Sequence, residues 1–182
     1  MGNPPFGKNN KLSKKFISHS FSFDNIKTVA FILPNVYHKY TLQRLIPEDY
    51  RISNIIPIDS DSFVIGNKII DIPTSFFVFD KSIGIDLRFD VNKYKNNNHF
   101  YFSTKNNYDF YVMGAAPNNL KDVPTSNNRG YYVKSLIDVE VLKERFRNIQ
   151  WTSYSSVSGG VAWRTKIELI KCYIENYPES IK

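Results

Sequence analysis

Residues 26–33, IKTVAFIL, make a short β-rich run that is apolar on both faces and is stopped by Pro34. A strand buried on both faces needs a layer on each side of its sheet, so this run predicts an α/β domain with a covered, mostly parallel sheet. Its apolar centre, residues 29–33, is far shorter than the roughly 20 residues that cross a bilayer. No charged-then-apolar signal segment precedes it. The expectation is a protein of the cytoplasm with no membrane partner.

The neighbouring segments fill in that architecture. Leu12, Phe16, Ile17 and Phe21 recur at near-helical spacing among lysines and serines, which predicts an amphipathic helix over 11–22, and residues 36–45 read as a second, short helix. Two β-like stretches, 52–58 and 69–79, flank the turn-forming DSDSFVIGN and should pair antiparallel at the sheet edge, where Pro73 is tolerated. Beyond residue 89 the pattern loosens into Asn-rich turns between aromatic strands at 100–102 and 110–113. Two helices follow. Val139, Leu142, Phe146 and Ile149 share one face behind Asp138 as N-cap; Ile167, Ile170, Ile174 and Tyr177 share another, with Thr165 and Glu168 spaced as a capping box. The expected division is 1–89 and 90–182, the second portion mixed α+β and packed on the first.

Charge points to polyanions. Of a net +7, residues 1–50 carry 7 basic and 3 acidic side chains, residues 51–117 carry 7 and 7, and residues 118–182 carry 10 and 7. Basic ends around a neutral middle suit nucleic acid, although solubility alone can account for an excess this modest. Cys172 has no partner for an internal disulfide, and His19, His38 and His99 are too scattered for a metal site. Asp59, Asp61, Asp71 and Asp80 fall at strand ends and turns without calcium-loop spacing, and read as surface caps.

The sharpest motif is Asn3-Pro4-Pro5-Phe6. At ordinary residue frequencies, such a tetrapeptide arises by chance in on the order of one chain in a thousand of this length. It resembles the signature of amino-group methyltransferases that use S-adenosylmethionine, in which it closes the fourth strand of a class I sheet. The surroundings extend the resemblance: Gly7, the polar stretch KNNKLSKKFISHSF, the strand TVAFILP, IIDIPTSFFVFDKS as a late strand, and NRGYYVKS with WRTKIELIKCY as in phage and bacterial members. The implied fold is the later half of a class I (Rossmann-like) methyltransferase sheet, incomplete, and the implied activity is methylation of the N6 amino group of adenine in DNA.

In that chemistry Asn3 and the carbonyl of Pro4 would accept hydrogen bonds from the amine, making its delocalised lone pair available. Pro5 would stiffen the loop. Phe6 would stack on a base extruded from the duplex, worth about 1–3 kcal/mol. Lys8, Asn9 and Asn10 could contact the target strand or be a solvated loop. Arg129 and Tyr131 combine a cation with a ring, as base-stacking surfaces do, though a tyrosine packed in a strand looks the same. Arg164 and Lys166 stand at a helix start, where they could meet phosphates or only solvent. His38, between Tyr37 and Tyr40, reads as a helix-surface residue rather than a base.

The resemblance has a gap. Its members hold the cofactor with a glycine-rich turn after the first strand and an acidic residue after the second, both upstream of the motif. Here the only glycine pair is Gly159-Gly160, far downstream and without the spacing of nucleotide loops. The expectation is a fragment or subunit that binds S-adenosylmethionine weakly or not at all alone and takes its cofactor-binding half from a second chain. RNA or glutamine methylation, and a non-catalytic module that binds nucleic acid or protein, remain open.

Overall fold

In a computed structural model, the described residues are 1–59, 61–82, 84–124, 129–151 and 163–182. They fall into two compact units: residues 1–89, and residues 90–151 with 163–182.

The first unit is built on a three-stranded sheet. Helix α1 (Lys11–Phe21) leads to β1 (Thr28–Pro34), a 3-10 turn (Asn35–His38) and the short α2 (Tyr40–Gln43). Then come β2 (Arg51–Ile58), a small hairpin of β3 (Val64–Ile65) and β4 (Lys68–Ile69), and β5 (Thr74–Asp80). The order is β1-β5-β2, with β5 antiparallel to both neighbours. This corrects the expectation of mostly parallel pairing, and it moves β5 from the edge to the centre. Pro73 does not prevent the central position: it stands just ahead of the strand, its carbonyl accepting from the Asn35 amide, so no ladder hydrogen bond of β5 is lost.

Burial alternates along β1, with Val29, Phe31 and Leu33 in the core opposite Phe79, Phe77 and Ser75. Phe77 and Phe79 stack at 6.2 Å, and Phe21 of α1 meets Phe79 edge-on at 5.5 Å. Burying a side chain such as Phe77 contributes about 1.5–3 kcal/mol. β2 does not alternate, because a bulge between Ile52 and Asn54 inserts Ser53 and leaves Ile52 opposite Phe79 and Ile55 opposite Phe77. Residues three apart thus reach the same core, which period-two reading cannot anticipate.

The second unit carries the antiparallel sheet β6-β9-β7-β8, from β6 (Phe100–Phe102), β7 (Phe110–Met113), β8 (Ala116–Lys121) and β9 (Gly130–Ser135). Helices α3 (Val139–Asn148) and α4 (Lys166–Asn176) pack on it through rings. Phe146 of α3 lies 5.2 Å from Phe100 and 5.6 Å from Phe110, and Tyr173 of α4 lies 5.0 Å from Phe100. Both helices start at the expected caps: Asp138 accepts from the amides of Glu140 and Val141, and Thr165 with Glu168 forms a capping box. Gly130 is required sterically, since a Cβ there would sit 2.0 Å from the Val112 carbonyl oxygen.

Candidate functional site

The motif is tied to the sheet by the residue just before it. Gly2 forms a parallel bridge with Phe31, its amide donating to the Ala30 carbonyl at 3.0 Å and its carbonyl accepting from Ile32 at 3.1 Å. The chain therefore runs alongside β1 in the same direction as it enters Asn3. Exposure then alternates: Asn3 and Pro5 are exposed, Pro4 is buried and Phe6 is half-buried. Among the described residues nothing hydrogen-bonds to the Asn3 side chain or the Pro4 carbonyl. Both oxygens are thus unoccupied acceptors on a segment held by proline rigidity and the bridge.

The loop after the motif is fixed by its backbone. Gly7 has φ 66°, and Asn9 and Asn10 have φ 55° and 58°, left-handed values for which Gly and Asn are the suitable residues. A Cβ on Gly7 would also meet Leu12 Cγ at 2.8 Å. The Phe6 carbonyl accepts from the Leu12 amide at 3.3 Å, so the motif itself closes the first turn of α1. Ser13 anchors the helix from below, its hydroxyl 2.9 Å from the buried Tyr37 hydroxyl. Burial pushes the Tyr37 phenol up, which keeps it neutral, and the bond from Ser13 only partly opposes this.

Lys8, Lys11, Lys14 and Lys15, with Asn9, border a groove of about 500 Å³ on this loop and helix. Among the described residues none of the four lysines has a carboxylate partner, whereas Lys81, Lys134, Lys143 and Lys171 all do. The reason lies in the sequence: no Asp or Glu occurs before Asp24. Leu12 and Phe16, 43% and 47% exposed, stand one helical turn apart on the same helix. The structure thus joins Lys8 and Asn9, but not Asn10, to Lys11, Lys14 and Lys15, which motif reading left out although the acid-free stretch marks them.

In the second unit the expected contacts separate. Arg164 is only 8% exposed and turns inward, its guanidinium donating to the carbonyls of Trp151 at 2.7 Å and Ala115 at 3.4 Å. Tyr131 is half-buried; its hydroxyl donates to the Arg164 carbonyl and accepts from the Trp163 indole. Lys166 is exposed, its ammonium 5.6 Å and 5.8 Å from the ring centres of Phe102 and Tyr131. Arg129 is exposed just before β9. Tyr131, Arg164 and Lys166 are therefore neighbours, with only Lys166 presenting its charge to solvent.

Other chemistries find no support. His38 Nε2 stands 3.4 Å from Ser75 Oγ, but Ser75 is 1% exposed and donates to Asn35, so the pair is no accessible nucleophile and base. Burial holds the His38 imidazole below its usual range. Among the described residues no three His, Cys, Asp or Glu side chains gather as a metal site, and no helix is long and apolar enough to cross a membrane.

Among the described residues the glycines form no cradle for S-adenosylmethionine. Gly2 lies against the Phe31 ring, Gly7 against Leu12, Gly114 against Trp163 and Gly130 against Val112, while Gly66 and Gly84 stand singly in turns. Among the described residues no glycine-rich turn joins a strand to a helix, so these residues do not fit that cofactor. Gly159-Gly160 lies outside the described residues, as do Asn127 and Asn128. No family model, curated protein or solved structure matches the chain.

Proposed function

We propose that this chain is the amine-gripping part of a methyltransferase that acts on the N6 amino group of adenine in DNA. The observation carrying this reading is the pair of unoccupied acceptors at Asn3 and Pro4, on a segment bridged in parallel to β1 and leading toward its carboxyl end. Because β1 and β2 are both antiparallel to β5, they run parallel to each other. Open α/β sheets take ligands outside the carboxyl ends of such strands. The arrangement is compatible with the later half of a class I methyltransferase sheet. Phe6 follows two residues after the acceptor carbonyl as the stacking ring, and the unpaired lysines on the adjoining loop and helix supply phosphate contacts.

The methyl donor of this reaction class, S-adenosylmethionine, falls to polypeptide other than the described residues. Co-expression with the cofactor-binding half of an amino methyltransferase, followed by quantifying N6-methyladenine in total DNA, tests the reading. Methylated adenine that disappears on Asn3→Ala supports it. Methylation of RNA or of glutamine instead, or methylation indifferent to Asn3, refutes it.

A further inference from the structure

The second unit holds a cleft of about 490 Å³ that the proposed function does not use. Tyr101 and Phe102 of β6 line it, together with Leu136, Lys95, Lys166 and Lys182. No Asp or Glu side chain lies in its wall. Tyr101 is 43% exposed on β6, an edge strand of the sheet, so its ring reaches solvent without unpacking the core. Lys166 is held above the rings of Phe102 and Tyr131, which places a cation beside the aromatic wall.

The combination is selective. A lipid headgroup or an acidic peptide would use the ammonium groups but leave the exposed tyrosine idle; a base-paired duplex would hide the faces that tyrosine stacks on. An unpaired nucleotide uses both, its phosphate on the lysines and its base on the ring. The volume falls within the range of about 300–1,000 Å³ typical of small-ligand sites. We infer that this cleft binds one nucleotide of single-stranded nucleic acid, with Tyr101 as the stacking platform and Lys95 and Lys166 as phosphate contacts. The inference rests on the second unit alone and holds whether or not Asn3 grips an amine.

The test uses the full chain with Lys11, Lys14 and Lys15 changed to Ala, so that the first unit's lysines do not mask the difference. The probe is an oligothymidylate carrying 5-iodouracil. Irradiation should give an adduct in the tryptic peptide 96–105, assigned to Tyr101. By fluorescence anisotropy, Tyr101→Ala should weaken binding about 5- to 150-fold while Tyr101→Phe preserves it. Lys166→Ala should lower the slope of log affinity against log salt by about 0.7, and Lys105→Ala, on an exposed turn away from the cleft, should leave it unchanged. Heparin, a polyanion without bases, should bind Tyr101→Ala as it binds the parent. An adduct elsewhere, unchanged oligonucleotide binding in Tyr101→Ala, or an equal loss of heparin binding overturns the inference.

Discussion

Replacing Lys11, Lys14 and Lys15 together by Ala should change how duplex DNA binding responds to salt, more than how tightly it binds at any one salt concentration. The four lysines of the groove have no carboxylate competitors among the described residues, so each is available to displace one counterion from DNA. With a slope of about −0.9 per neutralised phosphate, four contacts give about −3.6 for log affinity against log salt, and Lys8 alone about −0.9. A fourfold rise in salt should therefore weaken the parent chain about 150-fold, and the triple variant only about 3- to 4-fold. Anisotropy titrations of a labelled duplex at three or four salt concentrations measure both slopes. The side chains lie on the outside of α1, whose packing depends on Ser13, Ile17 and Phe21, so circular dichroism should be unchanged. Equal slopes for parent and variant would refute the assignment of these lysines to phosphates.

Three further outcomes follow from the packing. Phe77→Ala removes a ring at 0% exposure that contacts Phe79, Tyr37 and His38, and should destabilise the first unit by about 3–5 kcal/mol in urea unfolding. A loss below about 1 kcal/mol would mean the sheet core is not as described. Asp138→Ala leaves the first amides of α3 uncapped and should cost about 0.5–2 kcal/mol, with Asp138→Asn recovering most of it. His99 gives a pH dependence: burial first, and the Arg145 guanidinium second, hold its imidazole below the usual value near 6.5. Arg145 donates to Nδ1 at 3.0 Å, which requires a neutral ring with Nδ1 as acceptor. Between the lowered folded value and 6.5 the unfolded chain binds the extra proton, so stability is full above about pH 6.5 and declines as pH falls below it. Melting curves from pH 7.5 to 5.5 should show that decline, and it should shrink in His99→Gln once His38, buried and shifted the same way, is also replaced.

What could be read in advance divides by range. The starts of α3 and α4 were legible because Asp138, Thr165 and Glu168 act on amides two or three residues away, and the apolar spacing behind them survives any tertiary context. The direction of β1 is not legible, since a run such as TVAFILP suits parallel or antiparallel neighbours alike and only the partner decides, whereas the antiparallel pairing of β2 with β5 is as the turn residues between them predict. Pro73 lies inside the stretch 69–79 that the pattern marks as β-like, but the strand begins after it at Thr74, and the Asn118-Asn119 pair obscures β8. At the site, Asn3 to Phe6 stand out through their resemblance to the motif of amino-group methyltransferases. Arg164 did not reveal its inward turn, because the carbonyls of Ala115 and Trp151 that hold it lie 49 and 13 residues away.

In the proposed function the side-chain oxygen of Asn3 and the carbonyl of Pro4 hold an exocyclic amine. The most direct measurement is a double-mutant cycle on binding: parent chain and Asn3→Ala, each titrated with a duplex carrying one extrahelical adenine or, at the same place, purine without the 6-amino group. Two neutral hydrogen bonds at about 0.5–1.5 kcal/mol each predict that the parent prefers adenine by about 5- to 150-fold and that Asn3→Ala, which keeps the Pro4 carbonyl, prefers it by only about 2- to 13-fold. Identical affinities for adenine and purine in the parent, or a preference undiminished in Asn3→Ala, would contradict this assignment.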